Sequence, residues 1–446
     1  MRYNSAPRLI RLAQIVPCQR NSFSTSPGCL ASLQHRPSPN VHATVHTPIS
    51  HHLGTPSSLP FSTFPAAAAA AAAGRQPPKM TKMRALVTVE EPTAAVREIA
   101  RPTPAAGEIL VRVHYAAQNP TDWKAVPERP AGRLVGCDFA GTVADANGSA
   151  AWREGQRVAG FVHGTRADPP RGAYAEYLAT EASMVWAVPD AVSFRDAATV
   201  SLAFATAVQA MFQRLGLPEP GTTTTTTAPA AAAAATGAPT PPRRPFLVNG
   251  GTSSVGQYAV QLAKLAGLYV IATGSAKNHG LLTSLGADRV VDYRDPAWPE
   301  EVRALSRDGL RHALDCISER ETTGAVARAM SSAEGGHVVC VLPRSASELP
   351  GGLGKVRVES TIVYTVFGLP IDLSGSGFEN WGGPTPTDRE FWERYMAHIL
   401  PGYLESGKIK PNPSRELGGL EAILEGFEMQ IQGKVSAEKL VYKIAE

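Results

Sequence analysis

The stretch Phe246-Leu247-Val248-Asn249-Gly250-Gly251-Thr252-Ser253-Ser254-Val255-Gly256, followed by Gln257-Tyr258-Ala259-Val260-Gln261-Leu262-Ala263, leaves few folds open to this chain. A short apolar strand meets a turn of small residues, and an apolar-periodic helix opens from that turn. This is the strand–turn–helix of a dinucleotide-binding unit, in which unpaired amides at the helix start face a pyrophosphate. A second apolar strand, Leu268 to Ala272, follows at the spacing a βαβ unit needs. Gly250, Gly251 and Gly256 remain of the glycine fingerprint, while Ser253 and Ser254 stand where a fuller motif carries glycine. Their hydroxyls offer extra donors to phosphate. The next turn, Gly274-Ser275-Ala276-Lys277-Asn278, contains no acid. An NAD site usually places Asp or Glu there to grip the ribose 2′-hydroxyl. Ser, Lys and Asn suit a 2′-phosphate instead, and the lysine adds charge. The residues predict an NADP(H) site.

A chain of 446 residues allows two or three domains with a core of ordinary size. No apolar run approaches the roughly 20 residues of a membrane helix, so no membrane partner is expected. The five cysteines, Cys18, Cys29, Cys137, Cys316 and Cys340, include no closely spaced pair. A disulfide framework or structural zinc is disfavoured, and a reduced intracellular compartment fits. The net charge of +4 hides an asymmetry: no acid precedes Glu90, while nine Lys or Arg lie in residues 1–89. That basic charge sits on an arm ahead of the fold instead of clustering on a folded face, so no nucleic-acid partner is expected.

Residues 1–82 read as a disordered extension, rich in Ser, Pro, His and Ala, with an alanine run from Ala66 to Ala73. Its Arg-bearing, acid-free start has the composition of a mitochondrial transit peptide. It equally suits an unselected extension ahead of a true start at Met80 or Met83. The cytoplasm is the expected location, the mitochondrion the alternative. Apolar and alternating runs at Arg84–Val89, Ile109–Tyr115, Phe139–Asp145, Gln156–Phe161 and Tyr174–Thr180 predict the short strands of a small barrel, separated by Pro and Gly. A helical pattern follows from Phe194. The low-complexity run Thr222–Pro242 reads as a solvated loop inside an insert of residues 219–244. Strands at Arg289–Val291, His312–Ile317 and His337–Leu342 then alternate with helices around Leu281–Leu285, Glu300–Ser306 and Thr322–Ala329. This predicts an α/β fold with a doubly wound parallel sheet. A helix at Arg389–Ser406 and a strand at Lys439–Ile444 end the chain.

Within residues 83–446, four segments resemble the zinc-free branch of the medium-chain dehydrogenase/reductase superfamily. They are Gln118-Asn119-Pro120-Thr121-Asp122-Trp123-Lys124, Gly136-Cys137-Asp138-Phe139-Ala140-Gly141, Gly155-Gln156-Arg157-Val158-Ala159-Gly160 and Gly172-Ala173-Tyr174-Ala175-Glu176-Tyr177. His312-Ala313-Leu314-Asp315-Cys316-Ile317, Gly335-Gly336-His337, Phe367-Gly368 and Leu215-Gly216-Leu217-Pro218 narrow the resemblance to the fungal trans-acting enoyl reductases that serve polyketide synthases. The resemblance implies a GroES-like β-barrel domain over residues 83–205, a Rossmann domain over 206–368, and a return to the first domain over 369–446. Zinc alcohol dehydrogenases of the superfamily carry Gly-His-Glu where this chain reads Gly136-Cys137-Asp138. Cys137 beside Asp138 falls short of the three protein ligands of a catalytic zinc, so no metal is expected.

The resemblance also implies site residues. Thr121, Asp122, Trp123 and Lys124 meet the cofactor at the cleft, with Lys124 a catalytic candidate. A turn-capping role suits Asp122 and a core position suits Trp123. Thr252, Ser253, Ser254 and Val255 face the pyrophosphate. Ser275, Ala276, Lys277 and Asn278 surround the 2′-phosphate, with Tyr293 near the adenine ribose. Val341, Leu342, Val435 and Ser436 border the nicotinamide side. The acyl chain is placed along Ala207, Val208, Gln209, Ala210 and Met211 and the loop Tyr364-Thr365-Val366-Phe367-Gly368, for which plain packing is the alternative. Thr206, the second catalytic candidate, either caps a helix start or touches ligand. The expected reaction is NADPH-dependent reduction of a carrier-bound enoyl thioester, with a polyketide synthase carrier protein as partner and a monomer as the state. A quinone or enone reductase, a mitochondrial fatty-acid enoyl reductase and a non-catalytic binding protein are the competing readings.

Overall fold

The computed structural model describes residues 81–90, 93–221, 243–351, 353–368 and 386–445. The expected extension lies outside them up to residue 80, and the low-complexity run 222–242 lies outside them entirely. Lys82, placed in the extension by its sequence, instead opens the first strand. Strand β1 (Lys82–Thr88) pairs antiparallel with β2 (Ala94–Ala100), from Lys82 against Ala100 to Thr88 against Ala94. Then come β3 (Glu108–Ala117), helix α1 (Pro120–Ala125), β4 (Asp138–Asp145), β5 (Arg157–Phe161), β6 (Tyr177–Glu181) and β7 (Val185–Ala187). β2 and β7 lie outside the sequence-predicted strands. Only Ala94 of β2 is buried, the rest being half-buried or exposed, so the strand carries little apolar alternation to read.

Helices α2 (Phe194–Ala197) and α3 (Ser201–Val208) lead across to the second sheet, α3 continuing as a π-helical turn at Gln209–Arg214. There β8 (Pro245–Asn249), α4 (Ser254–Leu265), β9 (Tyr269–Thr273), α5 (His279–Ser284), β10 (Arg289–Val291), α6 (Trp298–Leu305), β11 (His312–Asp315), α7 (Arg320–Ala329), β12 (Gly336–Cys340) and β13 (Val356–Ser360) follow in turn. All neighbours in the six-stranded order β10-β9-β8-β11-β12-β13 run parallel. Side chains of successive strand residues point to opposite faces. Phe246 and Val248 of β8 thus join the core under α3 and α4, whereas Leu247 joins the core on the other face. Burial on both faces explains why these strands read as unbroken apolar runs. The expected doubly wound parallel sheet is present.

The last part of the chain divides its contacts. Helix α8 (Pro386–Glu393), a π-helical stretch (Arg394–Ile399) and α9 (Leu400–Glu405) put Trp392, Tyr395, Met396 and Leu400 into the core shared with α3 and its continuation. Tyr395 stacks on Phe212 with ring centroids 5.7 Å apart. Strand β14 (Ser414–Gly418), helix α10 (Ile423–Ile431) and β15 (Lys439–Lys443) instead return to the first sheet. Its order is β14-β15-β3-β4-β5-β7, with β6 also on β3.

One buried charge pair fastens that return. Lys439 opens β15 and Asp138 opens β4; both are buried, with Lys439 Nζ 2.5 Å from Asp138 Oδ2. The ammonium also donates to Asn119 Oδ1 at 3.0 Å and to the Thr199 carbonyl at 3.4 Å. Asp138 accepts from Asn119 Nδ2 at 2.9 Å and from the Leu202 amide at 2.8 Å. Removing one partner of such a pair strands the other charge in a low dielectric. Lys439→Met is expected to cost about 3–5 kcal/mol of unfolding free energy, read from urea midpoints, with Asp138→Leu in the same chain restoring part of it.

Candidate active site

In an open parallel sheet, ligands bind beyond the carboxyl ends of the strands, where the strand order reverses. Here that point lies between β8 and β11, and a cavity of about 640 Å³ opens there. The second sheet supplies Thr252–Val255 after β8, Tyr293 after β10, Cys316 and Ile317 after β11, Val341 and Leu342 after β12, and Thr361–Tyr364 after β13. The first sheet supplies Gln118–Thr121, His163 and Arg166. Leu202, Ala203 and Thr206 come from α3, and Gln430, Gly433 and Val435–Leu440 from the return. Among the described residues, Tyr293 and Ile317 are the large apolar side chains left exposed, and both border this cavity.

The turn after β8 fits a dinucleotide phosphate. Gly250 has φ +72°, a conformation that glycine adopts without strain, and a Cβ on Gly256 would lie 2.3 Å from the Gly250 carbonyl oxygen. Ser253 caps α4, its Oγ accepting from the Gly256 amide at 3.1 Å. Among the described residues no hydrogen bond uses the amides of Thr252, Ser254 or Val255, which leaves donors for an anion at the helix start. At the end of β9, Ser275 is buried and accepts from Asn278 Nδ2 at 3.2 Å, while Lys277 is exposed. An acid does approach this turn from the end of β10, but it is engaged: Asp292 gives its oxygens to the Arg294 and Ala276 amides at 3.0 and 3.2 Å. Those amide bonds, that from Arg294 foremost, hold its carboxyl below the usual range.

Of the sequence-predicted residues, Thr121, Thr206, Thr252, Ser253, Ser254, Val255, Tyr293, Val341, Leu342, Tyr364, Val435 and Ser436 meet at this cavity. Ser275, Ala276, Lys277 and Asn278 sit beyond it at the end of β9. Trp123 packs on the core of the first sheet. Lys124 is exposed outside the cavity wall, its ammonium 5.6 Å from the Trp123 ring centroid. Partial desolvation lowers the Lys124 pKa, opposed by the Glu319 carboxylate. Thr206 lies inside α3, not at its start, and donates to the Leu202 carbonyl at 2.8 Å, so it caps nothing. Ala207, Val208, Ala210 and Met211 are core residues of α3 and its continuation, and line neither this cavity nor the smaller one beside it. Gln209 instead braces the loop after β13, accepting from Thr361 Oγ1 at 2.6 Å and donating to Thr365 Oγ1 at 2.9 Å. Val366 is buried, Gly368 ends the 3₁₀ turn Val363–Phe367, and Phe367 borders the smaller cavity.

Sequence reasoning missed Gln118, His163, Ile317, Gln430 and Lys439 as cavity residues. A lysine at the first position of the apolar strand Lys439-Leu440-Val441-Tyr442 was the readable signal for one of them.

Behind the cavity wall lies a buried polar cluster. Asp122 is buried; its Oδ2 accepts from the Asn119 amide at 2.8 Å and the Tyr174 hydroxyl at 2.9 Å, and its Oδ1 has no partner. Burial pushes the carboxyl up to about 6. The Cys137 thiol lies beside that carboxyl and 3.5 Å from the Tyr364 hydroxyl; burial raises both the thiol and the phenol well above their ordinary values. Tyr364 stacks on His163 at 3.7 Å, and burial lowers the imidazole to about 3. Among the described residues no group of three or more His, Cys, Asp or Glu is placed to hold a metal.

Two family profiles match the chain: the alcohol dehydrogenase GroES-like domain over residues 105–190 and the zinc-binding dehydrogenase domain over residues 254–368. A solved alcohol dehydrogenase superfamily protein from Novosphingobium aromaticivorans superposes with TM-score 0.64 at 22% identity, covering 82% of this chain and 100% of that one. The CurK enoyl reductase superposes with TM-score 0.58 at 19% identity, covering 82% and 99%. The fold and the crevice define a nicotinamide-dependent oxidoreductase of the medium-chain dehydrogenase/reductase superfamily. Trans-enoyl reductase ACTTS2 of Alternaria alternata is 35% identical over 82% of this chain and 100% of its own length. Trans-enoyl reductase thnE of Trichoderma harzianum is 35% identical over 76% of this chain and 89% of its own length. The chain belongs to the trans-enoyl reductase family.

The Asp122 carboxyl carries a pH prediction. Its folded pKa is raised above the unfolded value near 3.9, so the stability tied to its neutral form is complete below that value and is lost as pH rises through about 6. Between pH 4 and 7 the wild type should lose about 2–3 kcal/mol relative to Asp122→Asn, measured by urea unfolding at each pH.

Proposed function

We propose that this chain uses NADPH to reduce the α,β double bond of an enoyl thioester presented by the carrier protein of a polyketide synthase. The observation that carries the cofactor choice is the acid-free turn at the end of β9, with Ser275 buried and the Lys277 ammonium exposed beside it. The trans-enoyl reductase kinship carries the substrate class.

When bound, the nicotinamide supplies a hydride to the β-carbon. The chain's own residues do the rest. The Thr252, Ser254 and Val255 amides hold the pyrophosphate at the start of α4, and Ser275, Lys277 and Asn278 hold the 2′-phosphate. Tyr293 flanks the ribose, and Val341, Leu342, Val435 and Ser436 fix the ring against the crevice wall. Orientation of this kind converts binding into proximity at the reacting carbons. As charge develops on the thioester oxygen, the Thr121 hydroxyl is within the same cavity to meet it. Lys124, outside the wall, is placed for the entering thioester arm more than for the chemistry. The protein works as a monomer on this reading.

The full chain should consume NADPH with an enoyl pantetheine thioester, followed spectrophotometrically. Turnover of quinones alone would overturn the proposal in favour of a quinone reductase. Lys277→Glu should raise the KM for NADPH by the equivalent of about 1–3 kcal/mol while leaving that for NADH nearly unchanged. An unaltered NADPH KM would place the 2′-phosphate elsewhere.

A further inference from the structure

The reduction needs a proton at the α-carbon, and the cavity wall contains one hydroxyl backed by a buried proton store. Tyr364 faces the cavity together with Thr206, Val341 and Leu342. Its hydroxyl touches the Cys137 thiol at 3.5 Å, and that thiol lies beside the Asp122 carboxyl, whose Oδ1 has no hydrogen-bond partner. Several other donors along the wall are committed. Thr206 gives its proton to the Leu202 carbonyl, Lys439 gives its protons to Asp138, Asn119 and Thr199, and Arg166 pairs with Glu128. His163 lies flat against the Tyr364 ring. The loop is held from behind by Gln209 through Thr361 and Thr365, so the phenol has a set position.

We propose that Tyr364 is the proton donor to the α-carbon of the substrate, recharged through Cys137 from Asp122. The inference rests on the enoyl reductase reading above. Hydride addition at the β-carbon moves the π electrons onto the thioester oxygen as an enolate. The carbonyl then reforms as a C–H bond is made at the α-carbon and the O–H bond of Tyr364 breaks. The tyrosinate takes a proton from the Cys137 thiol, the thiolate takes one from the Asp122 carboxyl, and water replaces the carboxyl proton between turnovers.

The test uses the full chain, NADPH and an α-methyl enoyl pantetheine thioester, with the α-configuration of the product as the deciding readout. Tyr364→Phe should lower kcat roughly 100-fold, in the range removed with a general acid, keep NADPH affinity within about twofold, and give product of mixed α-configuration. Cys137→Ala leaves the phenol but cuts its supply; it should lower kcat about tenfold and enlarge the solvent deuterium isotope effect while retaining a single configuration. A Tyr364→Phe enzyme with wild-type kcat overturns the proposal. So does one that is slow but still yields a single configuration, since the hydroxyl would then serve the carbonyl oxygen. Wild-type kcat and isotope effect in Cys137→Ala overturn the supply route. If the wild type itself leaves enoyl thioesters untouched, the enoyl reductase reading has failed, which is a separate result.

Discussion

The ion pair between Lys439 and Asp138 is the contact on which the arrangement of the site depends. Four separate pieces of chain converge on it: the N-cap of α1 through Asn119, the start of β4, the start of α3 through the Leu202 amide, and the start of β15. Two buried charges are tolerable only when each is surrounded by partners, and here the amides and carbonyls of the converging segments are those partners. The geometry of the cavity floor follows. Asn119 can cap α1 and Leu202 can begin its helix only where Asp138 holds them, and the loop Val435–Glu438 is carried to the crevice by the strand that Lys439 opens.

Across the crevice the constraints are of another kind. The cavity face there is made by the amides at the start of α4 and by Ile317, Val341 and Leu342 at the ends of β11 and β12, and little side-chain charge is involved. The two halves are joined by polar grips from α4 outward. Gln261 exchanges hydrogen bonds with the backbone of Lys410 at 2.7 and 3.1 Å, and Gln257 reaches the Ala437 carbonyl at 3.3 Å. The helix that opens from the turn after β8 also grips the returning chain.

The parts of this architecture that were legible in the sequence are those built from neighbours along the chain. The β8–α4 turn declares itself because strand, small residues and helix are contiguous, and Ser253 and Gly256 are cap partners three positions apart. Strands buried on both faces, such as Phe246–Val248, carry their own signal. β2, β13 and β14 do not, since partly exposed strands mix polar with apolar residues. The cavity face of the first sheet was legible only in part for a related reason. Thr121 and Lys124 are three residues apart on a short helix, yet one meets the cavity and the other is exposed outside its wall. Whether Lys439 is a solvated lysine or a buried counter-ion depends on Asp138, which periodicity along either strand does not reveal.

The separation of those two residues matters for how the molecule comes to exist. They are 301 positions apart, and Gln118 and Tyr442, joined at 2.5 Å, are 324 apart. Closing loops of that size is entropically unfavourable until the intervening chain is compact, and such contacts slow folding. On the ribosome, therefore, both sheets can begin to form while β3 still waits for its partner β15. The crevice is then a late product of biogenesis, and a nascent chain stalled before residue 439 carries the parallel sheet without the wall that Val435–Leu440 supply.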